Sequence, residues 1–283
     1  MPTPESSLFA LVKLLADDHP EVVEAARAKL VELGSEAVPF LEKATASHED
    51  PKVRVEAAHV LERIRLAAVS QEWNRFSHLS DDHLDLEAGS FLMARVSYPD
   101  LDVKNYRHQL DELADEIRPR LAVAARPTDR LSVMNQSLFG TRRFRGNWND
   151  YFDPQNSYLN RVLDRKLGIP ISLCVLYLLV GQRLKLPIRG AGIPGHFMVK
   201  YKDEKTELYV DAFNEGRFLS RPECVQFIVE AGYPYQVEFL EGIGSREILA
   251  RMLRNLILIY VDRQEETLER TLTRFLEALY PSS

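Results

Sequence analysis

Residues 196–213, with the sequence HFMVKYKDEKTELYVDAF, decide the fold of this chain. In the segments His196–Tyr201 and Leu208–Phe213 the character of the side chains alternates with a period of two residues, which is the period of a β-strand rather than of a helix. Between them lies a charged segment, Lys202–Lys205, that has the composition of a turn. The stretch therefore predicts a β-hairpin of two antiparallel strands.

The segments on either side of this hairpin have helical periodicity. Apolar residues at helical spacing predict a helix over Pro170–Lys185, another over Leu219–Ala231, and one or two long C-terminal helices over Ser245–Leu279. Tyr233–Leu240 is predicted to be a further strand. Helices that are followed by a few strands and then by helices again indicate an α+β fold with a small antiparallel sheet and a C-terminal helical segment.

The N-terminal region contains an internal repeat. Residues 7–34 align with residues 38–65, which places Pro20 on Pro51 and Leu30 on Leu61. Proline suits the first position of a helix, where its missing N–H has no partner to lose. Each unit therefore predicts a helix, a turn and a helix, and the pattern resembles HEAT-type repeats. Such a pair cannot bury its own apolar face, so the units either cap the following domain or form a surface that binds a partner.

These patterns divide the chain into three predicted segments. HEAT-like helical repeats occupy residues 1–70, the main α+β domain occupies residues 71–244, and C-terminal helices occupy residues 245–283. The length of 283 residues is sufficient for this many segments and for a sizeable core.

Composition excludes several classes of protein. The net charge of −6 argues against broad nucleic-acid binding. Two cysteines are too few for a disulfide framework, and the first residues lack the pattern of a signal peptide. No apolar stretch has the length of a membrane span, and histidines and carboxylates show no metal-ligand spacing. We expect a cytoplasmic protein without metal or cofactor, which binds neither nucleic acid nor membrane.

The hairpin also brings together the residues of a candidate site. If its turn is centred between Asp203 and Glu204, His196 and Asp211 lie opposite each other, with their Cα atoms roughly 4.5–5.5 Å apart. An aspartate at that distance can orient an imidazole for acid–base chemistry. Each residue also has a structural interpretation, because His196 follows the tight turn Pro194–Gly195 and Asp211 has the spacing of an Asx turn.

The arrangement of a helix tip, a histidine and an aspartate resembles the papain-like transglutaminase fold. In that fold a cysteine at a helix N-terminus meets a histidine and an aspartate on neighbouring strands. Here Pro170 falls on the cysteine position. Within the superfamily the chain is most similar to SirB-type proteins over roughly residues 85–260, and related domains in some F-box-only proteins imply protein binding. The segments that carry this resemblance are Asp153–Asn160, Leu167–Tyr177, Pro194–Phe197, Asp211–Asn214 and Ala250–Leu256.

Cys174 is the candidate replacement for the missing nucleophile. It lies on the same helix face as Pro170, about one turn further along. Its apolar neighbours favour a buried core residue, because burial raises the pKa of a thiol. The further candidates are polar residues near the cleft or in the basic cluster Arg142, Arg143 and Arg145. Each of them can instead form a turn, cap a helix or be a solvated side chain. The candidate residues for binding a substrate or partner are Asp153, Asn156, Asn214 and Arg143.

Three functions are compatible with these residues. The leading hypothesis is a non-catalytic or cryptic transglutaminase-like module for protein interaction, with the helical repeats as a second contact surface. The alternative is a cysteine-dependent hydrolase or acyltransferase, with Cys174 as nucleophile, His196 as base and Asp211 as orienting group. A third possibility is that His196 acts as a general base on water or a small substrate, without a covalent intermediate.

Overall fold

A computed structural model describes residues 4–280 of the chain. By its internal contacts the chain forms two compact units, the first ending at Glu72 and the second beginning at Trp73. The two C-terminal helices, Ser245–Asp262 and Glu266–Leu279, belong to the second unit. The division into three segments at residues 70 and 244 remains a prediction.

The first unit consists of helices joined by short turns. Pro20 and Pro51 are the first residues of their helices, as a residue without a backbone N–H can be. Gly34 follows the second helix with a φ of 56°, a conformation that glycine adopts without strain. Leu30 and Leu41 are fully buried in the core of this unit. The helices are α1 (Pro4–Leu14), α2 (Pro20–Leu33), α3 (Val38–Ser47) and α4 (Pro51–Ser77), the last of which continues into the second unit.

The second unit is mainly helical. One helix, residues 170–183, is buried along almost its whole length, from Pro170 to Gly181, because apolar residues occupy every face of it. The two C-terminal helices pack against each other. The helices are α5 (Leu86–Ser97), α6 (Val103–Ala122), α7 (Pro127–Asn135), α8 (Leu159–Arg165), α9 (Pro170–Arg183), α10 (Arg221–Glu230), α11 (Ser245–Asp262) and α12 (Glu266–Leu279).

A five-stranded antiparallel sheet lies in the same unit. From one edge to the other its strands are Arg217–Leu219, Glu207–Asp211, Met198–Lys202, Ile188–Ala191 and Gly242–Ile243. A separate pair of very short parallel strands precedes helix α9. Helices with one small antiparallel sheet and a C-terminal helical segment confirm the predicted α+β class. The strands are β1 (Arg145–Gly146), β2 (Leu167–Gly168), β3 (Ile188–Ala191), β4 (Met198–Lys202), β5 (Glu207–Asp211), β6 (Arg217–Leu219) and β7 (Gly242–Ile243).

The hairpin forms, but its register differs from the predicted one. Lys202 pairs with Glu207, so the turn is centred between Glu204 and Lys205, one position later than expected. The carboxylate of Asp203 accepts hydrogen bonds from the backbone N–H groups of Lys205 and Thr206, which fixes the turn at this shifted position. As a result β4 begins at Met198, and the predicted pairing of His196 directly opposite Asp211 is wrong.

The predicted strand over Tyr233–Leu240 is also wrong. Residues Val237–Leu240 form a turn of 3₁₀-helix, and only Gly242–Ile243 joins the sheet, beside β3. Within residues 4–280, none of the helices combines the length and the apolar character that a membrane span requires.

Candidate functional site

The N-terminus of helix α9 is held in place by a small set of hydrogen bonds. Pro170 is its first residue. The hydroxyl of Ser172 accepts a hydrogen bond from the backbone N–H of Ile169 at 3.0 Å and donates one to the backbone carbonyl of Asn156. A β-carbon at Gly168 would lie 2.7 Å from the Ser172 hydroxyl oxygen, so glycine there allows the contact. The helix tip is therefore fixed against the loop that precedes helix α8.

A tight turn before strand β4 places the histidine. Gly195 has a φ of 70°, which favours glycine, and the backbone N–H of His196 donates to the carbonyl of Ile193 at 3.1 Å. This turn brings Nε2 of His196 to within 3.0 Å of Oδ2 of Asp211, and both side chains are largely buried. Nε2 of His196 has no hydrogen bond of good geometry among the described residues, so the contact is a close approach rather than a well-directed hydrogen bond.

The carboxylate of Asp211 has several partners at once. Its Oδ1 accepts hydrogen bonds from the backbone N–H groups of Phe213 and Asn214, which is the geometry of an Asx turn. Its Oδ2 accepts a hydrogen bond from the side-chain amide of Asn214 at 2.7 Å and faces His196. Burial favours a higher pKa for Asp211, but the close approach of His196 and the hydrogen bonds from Asn214 outweigh it and lower the pKa below 3.8. Asp211 is thus charged at neutral pH. Its Asx turn supports the structural interpretation, and its role in orienting His196 remains a prediction.

A cavity of about 310 Å³ opens beside His196. Pro170 and Ile171 at the tip of α9 line it together with the imidazole, so the helix tip and His196 belong to the same cleft. Helix α11 contributes two arginines and an amide. The lining residues are Tyr151, Pro170, Ile171, Ile193, Gly195, His196, Phe197, Arg251, Arg254 and Asn255.

Comparison with known proteins assigns this arrangement to a family. The profile described as "Transglutaminase-like superfamily" matches residues 104–254, which include the helix tip, His196, Asp211 and the arginines. The chain belongs to the transglutaminase-like superfamily. A "UPF0162 protein" of Xylella fastidiosa (strain Temecula1) is 34% identical over 200 residues, which cover 67% of this chain and 70% of the relative.

Two further relatives extend this picture of the superfamily. The human "F-box only protein 21" is 26% identical over 259 residues, 80% of this chain but only 41% of the relative. A "UPF0162 protein" of Vibrio cholerae is 24% identical over 176 residues, 61% of this chain and 65% of the relative. No solved structure matches the chain significantly.

Cys174 lies outside the cleft of this transglutaminase-like domain. It is fully buried, its thiol donates to the backbone carbonyl of Phe197 at 3.4 Å, and it does not line the cavity. Burial raises the pKa of Cys174 well above 9.0, the charge of Asp211 raises it further, and a backbone hydrogen bond with Ala212 opposes them only partly. A thiol in these surroundings is protonated at neutral pH, and a protonated thiol is a poor nucleophile.

The other predicted binding residues serve the loops around the cleft. Asp153 caps a short turn through the backbone N–H of Gln155 and pairs with Arg165 at 2.7 Å. Asn156 is fully buried, and its side chain bonds Asn147 and backbone carbonyls of the same loop. Neither lines the cavity.

The last two predicted residues lie in different surroundings. Asn214 contacts Asp211 and lines a separate cavity of about 330 Å³ beside Trp148 and Phe213. Arg143 is exposed and has a φ of 58°, a backbone conformation that is uncommon for residues other than glycine. The structure therefore groups Asn214 with Asp211, and it places Arg143 outside both of these cavities.

Sequence reasoning did not select Arg251, Arg254 and Asn255 as site residues. Their spacing of three and four positions places them on one face of a helix, and that signal was available in the sequence. The segment Ala250–Leu256, which carries part of the family resemblance, also contains these three residues. What the sequence did not supply was the packing of this face of α11 beside His196. The described residues contain no group of three or more His, Cys, Asp or Glu side chains that could hold a metal ion.

Proposed function

We propose that this protein is a SirB-type transglutaminase-like module for protein interaction, whose cleft lacks a nucleophile. The main support is that Pro170 lines the same cavity as His196 at the tip of helix α9. A proline side chain has no atom that can attack a carbonyl, and covalent catalysis requires such an atom. Cys174, the candidate replacement for the missing nucleophile, is fully buried, and its thiol donates a hydrogen bond to the backbone carbonyl of Phe197.

An exposed aromatic loop next to the cleft supports the interaction role. The side chains of Trp148 and Phe152 are 68% and 71% exposed, and Tyr151, between them in sequence, lines the cavity. Tryptophan, tyrosine and phenylalanine are enriched in protein interfaces. An F-box only protein among the relatives is compatible with the same role. We further propose that the N-terminal helices are HEAT-like units that provide a second contact surface, and that the protein is cytoplasmic, where free buried cysteines such as Cys174 and Cys224 are common.

The experiment that tests the absence of cysteine catalysis is an assay of peptide-amide hydrolysis and of acyl transfer to a primary amine. Glutamine-containing peptides serve as substrates for the wild type and the variants Cys174→Ala and His196→Ala. We expect none of the three to exceed the uncatalysed rate. Activity in the wild type that disappears in Cys174→Ala would contradict the proposal, provided that circular dichroism shows the variant to be folded.

A second candidate function is general-base catalysis by His196 without a covalent intermediate. It is favoured by one observation, the approach of Asp211 to an imidazole that lines a cavity, because such a pair can remove a proton from water or from a substrate. In the same assay this function predicts activity that survives Cys174→Ala and is lost in both His196→Ala and Asp211→Asn.

A further inference from the structure

The charged groups that line the cavity are of one sign. Arg251 and Arg254 both line it, and none of its lining residues among the described part of the chain is acidic. The chain as a whole has a net charge of −6. A cavity lined by two arginines and no carboxylate therefore differs in the sign of its charge from the chain as a whole. The carboxylate of Asp211, which His196 approaches, does not itself line the cavity.

The two arginines share a single carboxylate. Nε of Arg251 donates to Oε1 of Glu247 at 3.3 Å, and Nη1 of Arg254 donates to the same oxygen at 3.1 Å. The other oxygen of Glu247 accepts a hydrogen bond from the hydroxyl of Tyr280 at 2.6 Å. Burial favours a higher pKa for Glu247, but the Tyr280 hydrogen bond and the arginine charges outweigh it and lower the pKa below 4.5. The cluster therefore carries two positive charges and one negative charge at neutral pH.

Arg251 is held in position by the turn that precedes His196. Its Nη2 donates to the backbone carbonyl of Gly192 at 2.9 Å. A β-carbon at Gly192 would lie 2.6 Å from the guanidinium carbon, so this close seat requires glycine. Three guanidinium nitrogens have no hydrogen-bond partner within residues 4–280: Nη1 of Arg251 and both Nε and Nη2 of Arg254. Both arginines therefore keep donors that a ligand can use.

Two neutral groups of the cavity add to this surplus of donors. Asn255, four positions after Arg251 on the same face of α11, lines the cavity with a side-chain amide. Ile171, the second residue of α9, also lines it. A backbone N–H at that position has no acceptor inside the helix, and the helix dipole favours negative charge there. The cavity is thus lined by the first turn of α9 as well as by the donor side chains of α11.

We propose that the cavity binds a carboxylate group of a partner peptide, held by Arg251 and Arg254. This inference rests on the proposed interaction role of the cleft and names the chemistry that it recognises. A guanidinium group fits the planar, two-oxygen geometry of a carboxylate. One excess positive charge matches a single carboxylate, whereas a phosphate carries close to two negative charges at neutral pH. An acidic side chain and a chain terminus supply the same group, and the experiment separates these two sources.

The test compares matched probes by titration into the full-length protein, followed by NMR. N-acetylglutamate N-methylamide carries a side-chain carboxylate, and N-acetylglutamine N-methylamide is its uncharged isostere. N-acetylalanine and N-acetylalaninamide form the corresponding pair for a terminal carboxylate. We expect at least one carboxylate probe to bind at least about tenfold more tightly than its amide, as the loss of charge-assisted hydrogen bonds implies, and to shift the resonances of the His196 ring and the Asn255 side chain.

Variants tie this binding to the arginines. Arg254→Gln and Arg251→Gln should each weaken the better carboxylate probe by at least about tenfold, whereas Arg270→Gln should not change it. Arg270 is an exposed arginine on α12 that pairs with Glu266, as Arg251 pairs with Glu247. Since Arg254 is about half exposed, its replacement is compatible with folding. A Tm within a few degrees of the wild type identifies variants whose affinities can be compared.

Several results would overturn the inference. These are equal affinity of both pairs of probes, an unchanged affinity in Arg254→Gln, and tighter binding of inorganic phosphate than of either carboxylate probe. They are separable from failure of the proposed function. A protein that cleaves peptide amides through Cys174 and still prefers a carboxylate probe contradicts the proposed function alone. An inactive protein that does not distinguish carboxylate from amide contradicts this inference alone.

Discussion

The Nε2 atom of His196 lies 3.0 Å from Oδ2 of Asp211, although the two residues are not directly paired across the hairpin. The contact depends on the turn before β4 and on the Asx turn that follows β5, where Asp211 also bonds the backbone of Phe213 and Asn214. One carboxylate therefore connects the imidazole in the cleft with the end of a strand, so a change at Asp211 affects both the site and the fold.

The substitution Asp211→Asn is expected to destabilise the protein. It replaces one acceptor oxygen by an N–H₂ group, which would face either the backbone N–H groups of Phe213 and Asn214 or the donors of Asn214 and His196. Leaving buried donors unpaired should lower the free energy of unfolding by about 1–3 kcal/mol. Urea denaturation measures this, with Asp262→Asn, an exposed aspartate on α11, as control. Equal stability of both variants would show that the Asp211 network contributes nothing measurable.

The contribution of Asp211 to stability should depend on pH. Its pKa is lowered below 3.8 in the folded protein, so the unfolded chain takes up the proton first as the pH falls. The stabilisation is therefore complete above pH 3.8 and is lost as the pH falls through the folded pKa. Unfolding measured from about pH 6 downwards should show the difference between wild type and Asp211→Asn shrinking below that value. A constant difference across the whole range would mean that Asp211 does not titrate as a charged group.

The substitution Pro170→Cys is expected to create a reactive thiol. The new side chain would lie at the N-terminus of α9 in the cavity that His196 lines. A helix N-terminus and a neighbouring histidine that can take up the thiol proton both favour a thiolate. Iodoacetamide at about pH 6 should label it quickly, while Cys174 and Cys224, both buried, react only on unfolding.

A matched control separates the effect of the histidine from that of the helix. Glu266→Cys places a thiol at the first position of α12, an exposed helix tip. We expect it to react more slowly than the thiol introduced at residue 170, and we expect His196→Ala to remove the difference. If the two introduced thiols react at the same rate, His196 does not activate a group at the helix tip.

Much of the fold follows from local sequence patterns, and the predictions that were wrong have local causes. The hairpin, the helix that begins at Pro170 and the helices that begin at Pro20 and Pro51 were all signalled by periodicity and by proline. The hairpin register was not, because the side chain of Asp203 accepts two backbone hydrogen bonds that fix the turn one position later. A shift of one position in a turn moves every cross-strand pair, so a periodic pattern alone could not decide it.

The candidate site was predictable only in part. His196 and Asp211 were found through the hairpin and the family resemblance, and they meet through turns rather than through the predicted pairing. Arg251 and Arg254 were visible as neighbours on a helix face, but their role depends on which face of α11 packs next to the turn at Gly192, 59 positions before Arg251 in the chain. That packing is decided by the whole core and not by any local motif.

The close seat of Arg251 on the Gly192 carbonyl gives a prediction that does not remove a charge. In Gly192→Ala the new β-carbon would lie 2.6 Å from the guanidinium carbon, so the side chain of Arg251 has to move while its charge stays. Because binding by a guanidinium fork depends on its orientation, we expect the carboxylate probe to bind several-fold more weakly, but less weakly than in Arg251→Gln. NMR titration of the better probe measures this.

Gly244→Ala is the control for this effect, because a β-carbon at Gly244 has no neighbour within 4 Å. It should bind the probe as the wild type does. If Gly192→Ala also binds like the wild type, the turn before His196 does not position Arg251 for a ligand. If it binds as weakly as Arg251→Gln, the prediction of an intermediate effect is wrong, and the orientation of the guanidinium accounts for the whole contribution of Arg251 to binding.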